Sequence, residues 1–114
     1  MKDFDAELPV DLSALQDDAI VFLSIRAGDG DVHHTVFKDF TGKFVTGNVQ
    51  NYPLGRVRDV RGKELLTVTL VTDTNPITNR TSLRFIVNDQ RPEAFITDAD
   101  EDNGSVSYTI VIKF

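Results

Sequence analysis

The chain has 114 residues, 40% of them hydrophobic and 26% charged, which suits one domain with its own core and argues against wholesale disorder. It has no cysteine, so disulfides, thiolate nucleophiles and cysteine-ligated metals are excluded together. A net charge of −6 counts against nucleic acid as a partner, because phosphate binding needs a positive field.

The acidity is concentrated. Residues 1–18 carry six acids against Lys2, whereas the other 96 residues carry 12 acids and 11 bases. This segment reads as an acidic amino-terminal arm and as poor strand material. Asp11 could cap a single helical turn with Leu12 and Leu15 on one side. The arm has too many apolar groups (Phe4, Leu8, Val10, Leu12, Leu15) to be purely solvated, so it is expected to pack along the domain or onto a neighbouring subunit. Met1 to Asp5 lack the basic flank and apolar stretch of a secretory leader, and no run approaches the roughly 18 apolar residues of a membrane helix. A cytoplasmic protein without a membrane span is the expectation.

From residue 19 onward the pattern is β-rich. Ile20 to Ile25 is an almost continuous apolar run, as in a strand covered on both faces. The Ala27–Asp31 turn leads to a strand over 32–40, and Thr41-Gly42 turns the chain into 43–49. A longer loop is expected through Asn51, Pro53 and Gly55, then a short strand over 56–60. Residues 64–72 form a strand, with Leu66, Val68 and Leu70 taken as its core face. Residues 80–88 form another, with Leu83, Phe85 and Val87 inward. A short strand at 93–97 and a polar loop at 98–104 precede the last one. There Val106, Tyr108, Ile110, Ile112 and Phe114 share one parity. Such alternation up to a terminal Phe also occurs in outer-membrane barrels, but the aromatic girdles and long strands of those proteins are missing.

Seven to eight short strands with a turn signal every 8–14 residues or so predict an all-β, antiparallel β-sandwich of immunoglobulin-like, jelly-roll or C2-like type. The sandwich occupies 19–114 and the arm 1–18. The expected buried set is Phe22, Leu66, Val68, Leu83, Phe85, Tyr108, Ile110 and Ile112.

Three groups of residues are chemical candidates. If loops alternate between the two ends of the sandwich, Asp29, Asp31, Asp73, Asp98, Asp100 and Asp102 gather at one end, as oxygen ligands for Ca²⁺ would. The 98–109 segment fails the EF-hand pattern, with Asn103 in place of Gly and Thr109 in place of Glu, and Asp and Asn are also ordinary turn residues. The pair His33-His34 points to opposite faces of a strand and cannot easily share an ion. The basic run at 56–63 offers Arg56, Arg58 and Arg61 as a docking strip for an acidic partner or arm, together with Leu8, Leu12 and Leu15 of the arm itself. The same run also reads as a charged edge strand that resists edge-to-edge pairing.

There is no glycine-rich phosphate loop, nucleophile elbow or HExxH motif. The expectation is therefore a non-catalytic interaction or structural module without a resident cofactor. Its partner would be protein, including further copies of the chain. Ca²⁺-dependent binding through the acidic loops is the alternative.

Overall fold

The structure, a computed structural model, describes residues 1–28 and 30–114. Among the described residues nine strands and one helical turn follow in chain order. They are β1 (Lys2–Pro9), β2 (Ile20–Ala27), β3 (Val32–Lys38), β4 (Phe44–Gly47), β5 (Val49–Arg56), α1 (Val57–Val60), β6 (Glu64–Thr72), β7 (Arg80–Val87), β8 (Phe95–Asp98) and β9 (Ser105–Lys113). They build two packed sheets, one of five strands in the order β1-β9-β6-β3-β4 and one of four in the order β5-β2-β7-β8. The all-β sandwich is the expected architecture, with nine strands instead of seven or eight. Its pairings are antiparallel except that β1 runs parallel to β9.

Strand β1 corrects the reading of residues 2–9 as poor strand material. Phe4, Ala6 and Leu8 point inward while Asp3, Asp5 and Glu7 stand exposed, so the acids are simply the wet face of an alternating strand. Its partner β9 supplies a full ladder from Lys2–Val106 to Pro9–Lys113. The chain then buries Val10 and Leu12 and turns at Asp11, whose carboxylate accepts from the Ser13 amide at 2.9 Å. The acidic segment is therefore sealed onto the domain's own core.

Two further expectations change between residues 50 and 60. The stretch taken as a loop is strand β5, and the stretch taken as a strand is α1. Strand β5 lies at a sheet edge, where Pro53 need not donate to a further neighbour, and irregular register with β2 accommodates its breaks. The turn α1 forms because its first amides have partners ready: Val57 N–H donates to Ala19 C=O at 2.9 Å and Arg58 N–H to Asp17 C=O at 3.0 Å. Val57 and Val60, three apart, are then buried together.

The core lies between the sheets. Leu83, Phe85, Tyr108, Ile110 and Ile112 are buried as expected. Tyr108 exchanges a 2.7 Å hydrogen bond with the Thr81 hydroxyl, which is the partner a buried phenol needs. Phe4, Phe85, Phe95 and Tyr108 meet as a chain of tilted and edge-to-face rings with centroids 5.2–6.0 Å apart.

Phe22, Leu66 and Val68 are not buried. Phe22 sits beside an irregularity that rotates β2, so that Leu23, Ser24 and Ile25 are all inside while Phe22 is 40% exposed. Strand β6 faces the other way from the prediction. Its inward side chains are Leu65, Thr67, Thr69 and Val71, while Leu66, Val68 and Leu70 face outward. The buried threonines are satisfied: Thr69 shares a 2.8 Å bond with the Thr35 hydroxyl, and Thr67 donates to Ile110 C=O at 2.9 Å. Across the ladder Thr67 and Thr69 oppose Ile110 and Tyr108. Small residues thus stand beside large ones in the core layer.

The turn after β3 is held by a single carboxylate. Asp39 accepts from the Thr41 hydroxyl at 2.6 Å, from the Thr41 and Lys43 amides at 2.9 Å each, and from the Tyr52 hydroxyl at 2.6 Å. These bonds, the Thr41 hydroxyl first and the Tyr52 hydroxyl second, hold its pKa well below the usual carboxylate range. A carboxylate whose pKa falls on folding contributes stability above its unfolded value, about 4, and loses that contribution as pH falls through the folded one. In Tyr52→Phe the Asp39 pKa is expected to move up toward the ordinary value, followed by carboxyl NMR titration. An unchanged midpoint would show that the phenol adds nothing.

Candidate interaction surface

The outward-facing residues of the five-stranded sheet line up in rows given by the strand registers. One row runs Asp3, Ser107, Leu70, His34. The next runs Asp5, Thr109, Val68, Val36, Thr46. In the third, Glu7 and Val111 pair with Leu66, and Lys38 with Phe44 beyond it. The middle of this face is apolar and exposed: Val32, Val36, Phe44, Leu66, Val68 and Leu70 all stand outside the core. Phe44 is 67% exposed, with the Lys38 ammonium 5.8 Å from its ring centre. Single exposed apolar residues are ordinary on a protein surface, whereas a contiguous patch over neighbouring strands marks an interaction site.

Opposite charges flank the patch. Asp3, Asp5 and Glu7 form an acidic column on β1, while His34 and Lys38 stand on β3, with Lys43 in the turn before β4. Near the acidic column the Lys113 ammonium lies 3.1 Å from Glu7 and 3.6 Å from Glu64. Its pKa is raised, chiefly by the bond to Glu7.

The residues singled out from sequence are distributed differently. Leu8 and Leu12 are buried in the chain's own core and Leu15 packs against it, so the arm's leucines already have their partner within the fold. Arg56 ends β5, Arg58 lies within α1 and Arg61 follows it, so Arg56 and Arg58 do not share the face of the strand expected over 56–60. Arg61 does meet the acidic segment, with its guanidinium 3.0 Å from the Asp17 carboxylate, and both groups are largely exposed. A pair of this kind contributes only about 0–1 kcal/mol.

Of the acidic candidates, Asp29 lies outside the described residues. Asp31 is buried before β3, where its carboxylate accepts from the Thr74 amide at 3.1 Å. Asp98 ends β8 opposite Arg80, and Asp98, Asp100 and Asp102 are all exposed. Among the described residues no three His, Asp or Glu side chains come together as a metal cluster. Asp73, which loop alternation placed at the same end, is buried as well. Asp73 is one step beyond the Val32–Thr72 pair and 1% exposed, and its Oδ2 has no hydrogen-bond partner among the described residues. His33 points inward and His34 outward, as alternation requires.

The outer leucine face was missed because alternation marks two faces of a strand without saying which is inside. The signal that could have exposed it is the threonine pair Thr35 and Thr69, able to satisfy each other across one register position.

No protein family, curated protein or solved structure matches this chain. Among the described residues no helix is long and apolar enough to cross a membrane.

Proposed function

We propose that this chain is a non-catalytic sandwich module that assembles with a second copy of itself through the outer face of the five-stranded sheet. The observation that carries this reading is the facing of β6, with threonines in the core and Leu66, Val68 and Leu70 in water. At about 4.8 Å per strand and 3.3 Å per residue, such a face measures roughly 600–700 Å² in projection. This is close to the roughly 800 Å² per partner of a specific interface.

Charge favours a second copy and suggests its orientation. A two-fold axis along β6 lays the β1 edge of one copy over the β3–β4 edge of the other. The acids Asp3, Asp5 and Glu7 then meet the side that carries His34, Lys38 and Lys43. The perpendicular axis would set acid against acid. Apolar burial supplies most of the affinity, and the edge charges set register and on-rate.

Light scattering is expected to give twice the chain mass of 12.7 kDa at tens of micromolar. Val68→Asp is expected to give the monomer mass with the same far-UV circular dichroism and a melting temperature within a few degrees of a dilute wild-type sample. Asp5→Lys and Lys38→Glu should each weaken the dimer, and their combination should restore it. A wild-type chain that stays at monomer mass at every concentration overturns the proposal, as does a Val68→Asp protein that remains dimeric.

A second reading, Ca²⁺ binding, is favoured by one observation: Asp31 and Asp73 are both buried one step beyond the Val32–Thr72 pair that ends the β3–β6 ladder, and Asp73 Oδ2 lacks a donor among the described residues. A bound ion raises stability by about 2.7 kcal/mol at a hundredfold excess over Kd. On the first reading millimolar calcium leaves the melting temperature unchanged. A rise that disappears in Asp73→Asn would establish the second.

A further inference from the structure

The opposite face of the molecule carries a second, chemically different feature. A hollow of about 410 Å³ opens on the outer side of the four-stranded sheet. Three guanidinium groups line it: Arg26 from β2, and Arg80 and Arg84 from β7. Ser82 and Gly28 lie between them, and Ile96 of β8 contributes an apolar wall. Among the described residues no acidic side chain lines the hollow, although the chain as a whole carries −6.

Register makes this convergence costly for the isolated fold. Arg26 and Arg84 are direct cross-strand partners, and like charges in that position repel. Neither has a carboxylate within 4.0 Å among the described residues, and the one polar contact of Arg84 is a long 3.3 Å bond from Nη1 to Pro92 C=O. Arg80 stands four residues along β7 from Arg84 on the same outward side, with Asp98 as its register neighbour outside the hollow. Gly28 keeps the cleft open at its base. Its amide donates to Ser82 C=O at 3.1 Å, and a β-carbon there would collide with the Ser82 hydroxyl.

We infer that this hollow is a binding site for a small organic phosphate monoester. Guanidinium forks match the oxygens of a phosphoryl group two at a time, and a dianion between Arg26 and Arg84 turns their repulsion into attraction. The volume falls in the range of small-molecule clefts and exceeds what one phosphate fills, so an organic group lies against Ile96. Arg26 and Arg84, side by side in an acidic protein, also focus the local field, which draws an anion that the net charge would repel.

The test uses the full chain and two probes, inorganic phosphate and glucose 6-phosphate, with acetate as control. Titration is followed by amide NMR and by calorimetry at low ionic strength. Glucose 6-phosphate is expected to bind saturably, with shifts centred on Gly28, Ser82 and Ile96, and at least several-fold more tightly than inorganic phosphate. Acetate should bind at least tenfold more weakly than either. Arg26→Gln and Arg84→Gln should each weaken binding tenfold or more, whereas Arg91→Gln, outside the hollow, should not. In phosphate-free buffer the same two variants should melt no lower than wild type, since each removes a like-charge neighbour. That separates a ligand role from a structural one. No saturable binding, shifts elsewhere on the surface, equal affinity for the two phosphates, or unchanged affinity in Arg26→Gln and Arg84→Gln would each overturn the assignment.

Discussion

Deleting residues 1–16 is expected to unfold the domain. The segment carries the whole of β1, and Leu8 within the strand and Val10 and Leu12 after it are each no more than 7% exposed. Burying a side chain of this size contributes about 1.5–3 kcal/mol, so these three alone account for roughly 5–9 kcal/mol. A domain of this size has only about 5–15 kcal/mol in total. Deletion also strips the ladder from one side of β9 and removes Phe4 from its contacts with Tyr108 and Phe95. The truncated chain should show no cooperative melt by circular dichroism. The charges of the segment matter far less, because Arg61–Asp17 and Lys113–Glu7 are exposed pairs. A truncated protein that melted at the wild-type temperature would show that β1 is dispensable to the core.

The second large effect separates the two faces of the central sheet. Ile110 is fully buried on β9, and Ile110→Ala is expected to cost about 2–5 kcal/mol through lost apolar burial and the cavity left behind. At about 4 °C per kcal/mol this lowers the melting temperature by roughly 8–20 °C. Leu66→Ala, on the adjoining strand but 56% exposed, should cost the monomer under about 0.5 kcal/mol. The comparison is made on dilute samples, because in the dimer Leu66 is covered. Equal losses at the two positions would mean that the facing of β6 is reversed.

Strand β9 was legible from sequence because only one of its faces is apolar. Val106, Tyr108, Ile110 and Ile112 are all inside, and the serines and threonines alternate with them. The same holds for Leu83 and Phe85 of β7, whose intervening Arg84 cannot be buried alone. Strand β1 carries the same signal in weaker form. Its acids masked it, because carboxylates on the wet face lower the average hydrophobicity without disturbing the alternation. Strand β5 and the turn α1 could not be read locally. Asn51, Pro53 and Gly55 are loop residues by their own preferences, and only pairing with β2 holds them extended.

Composition and alternation determined that this chain is a two-layer β-protein with a core strand at its carboxyl end, because burying one face of each short strand leaves few other architectures. Which face of β6 is buried was decided only in the folded molecule. Both of its faces carry large apolar side chains, so hydrophobicity does not choose between them. The choice falls to the neighbours, through the volume beside Tyr108 and Ile110 and the hydroxyl partners of Thr67 and Thr69. The arginine hollow was equally invisible, since Arg26 and Arg84 are 58 positions apart and meet only through the register of β2 with β7. Local pattern specifies a strand and its period, whereas long-range pairing specifies its orientation and its company.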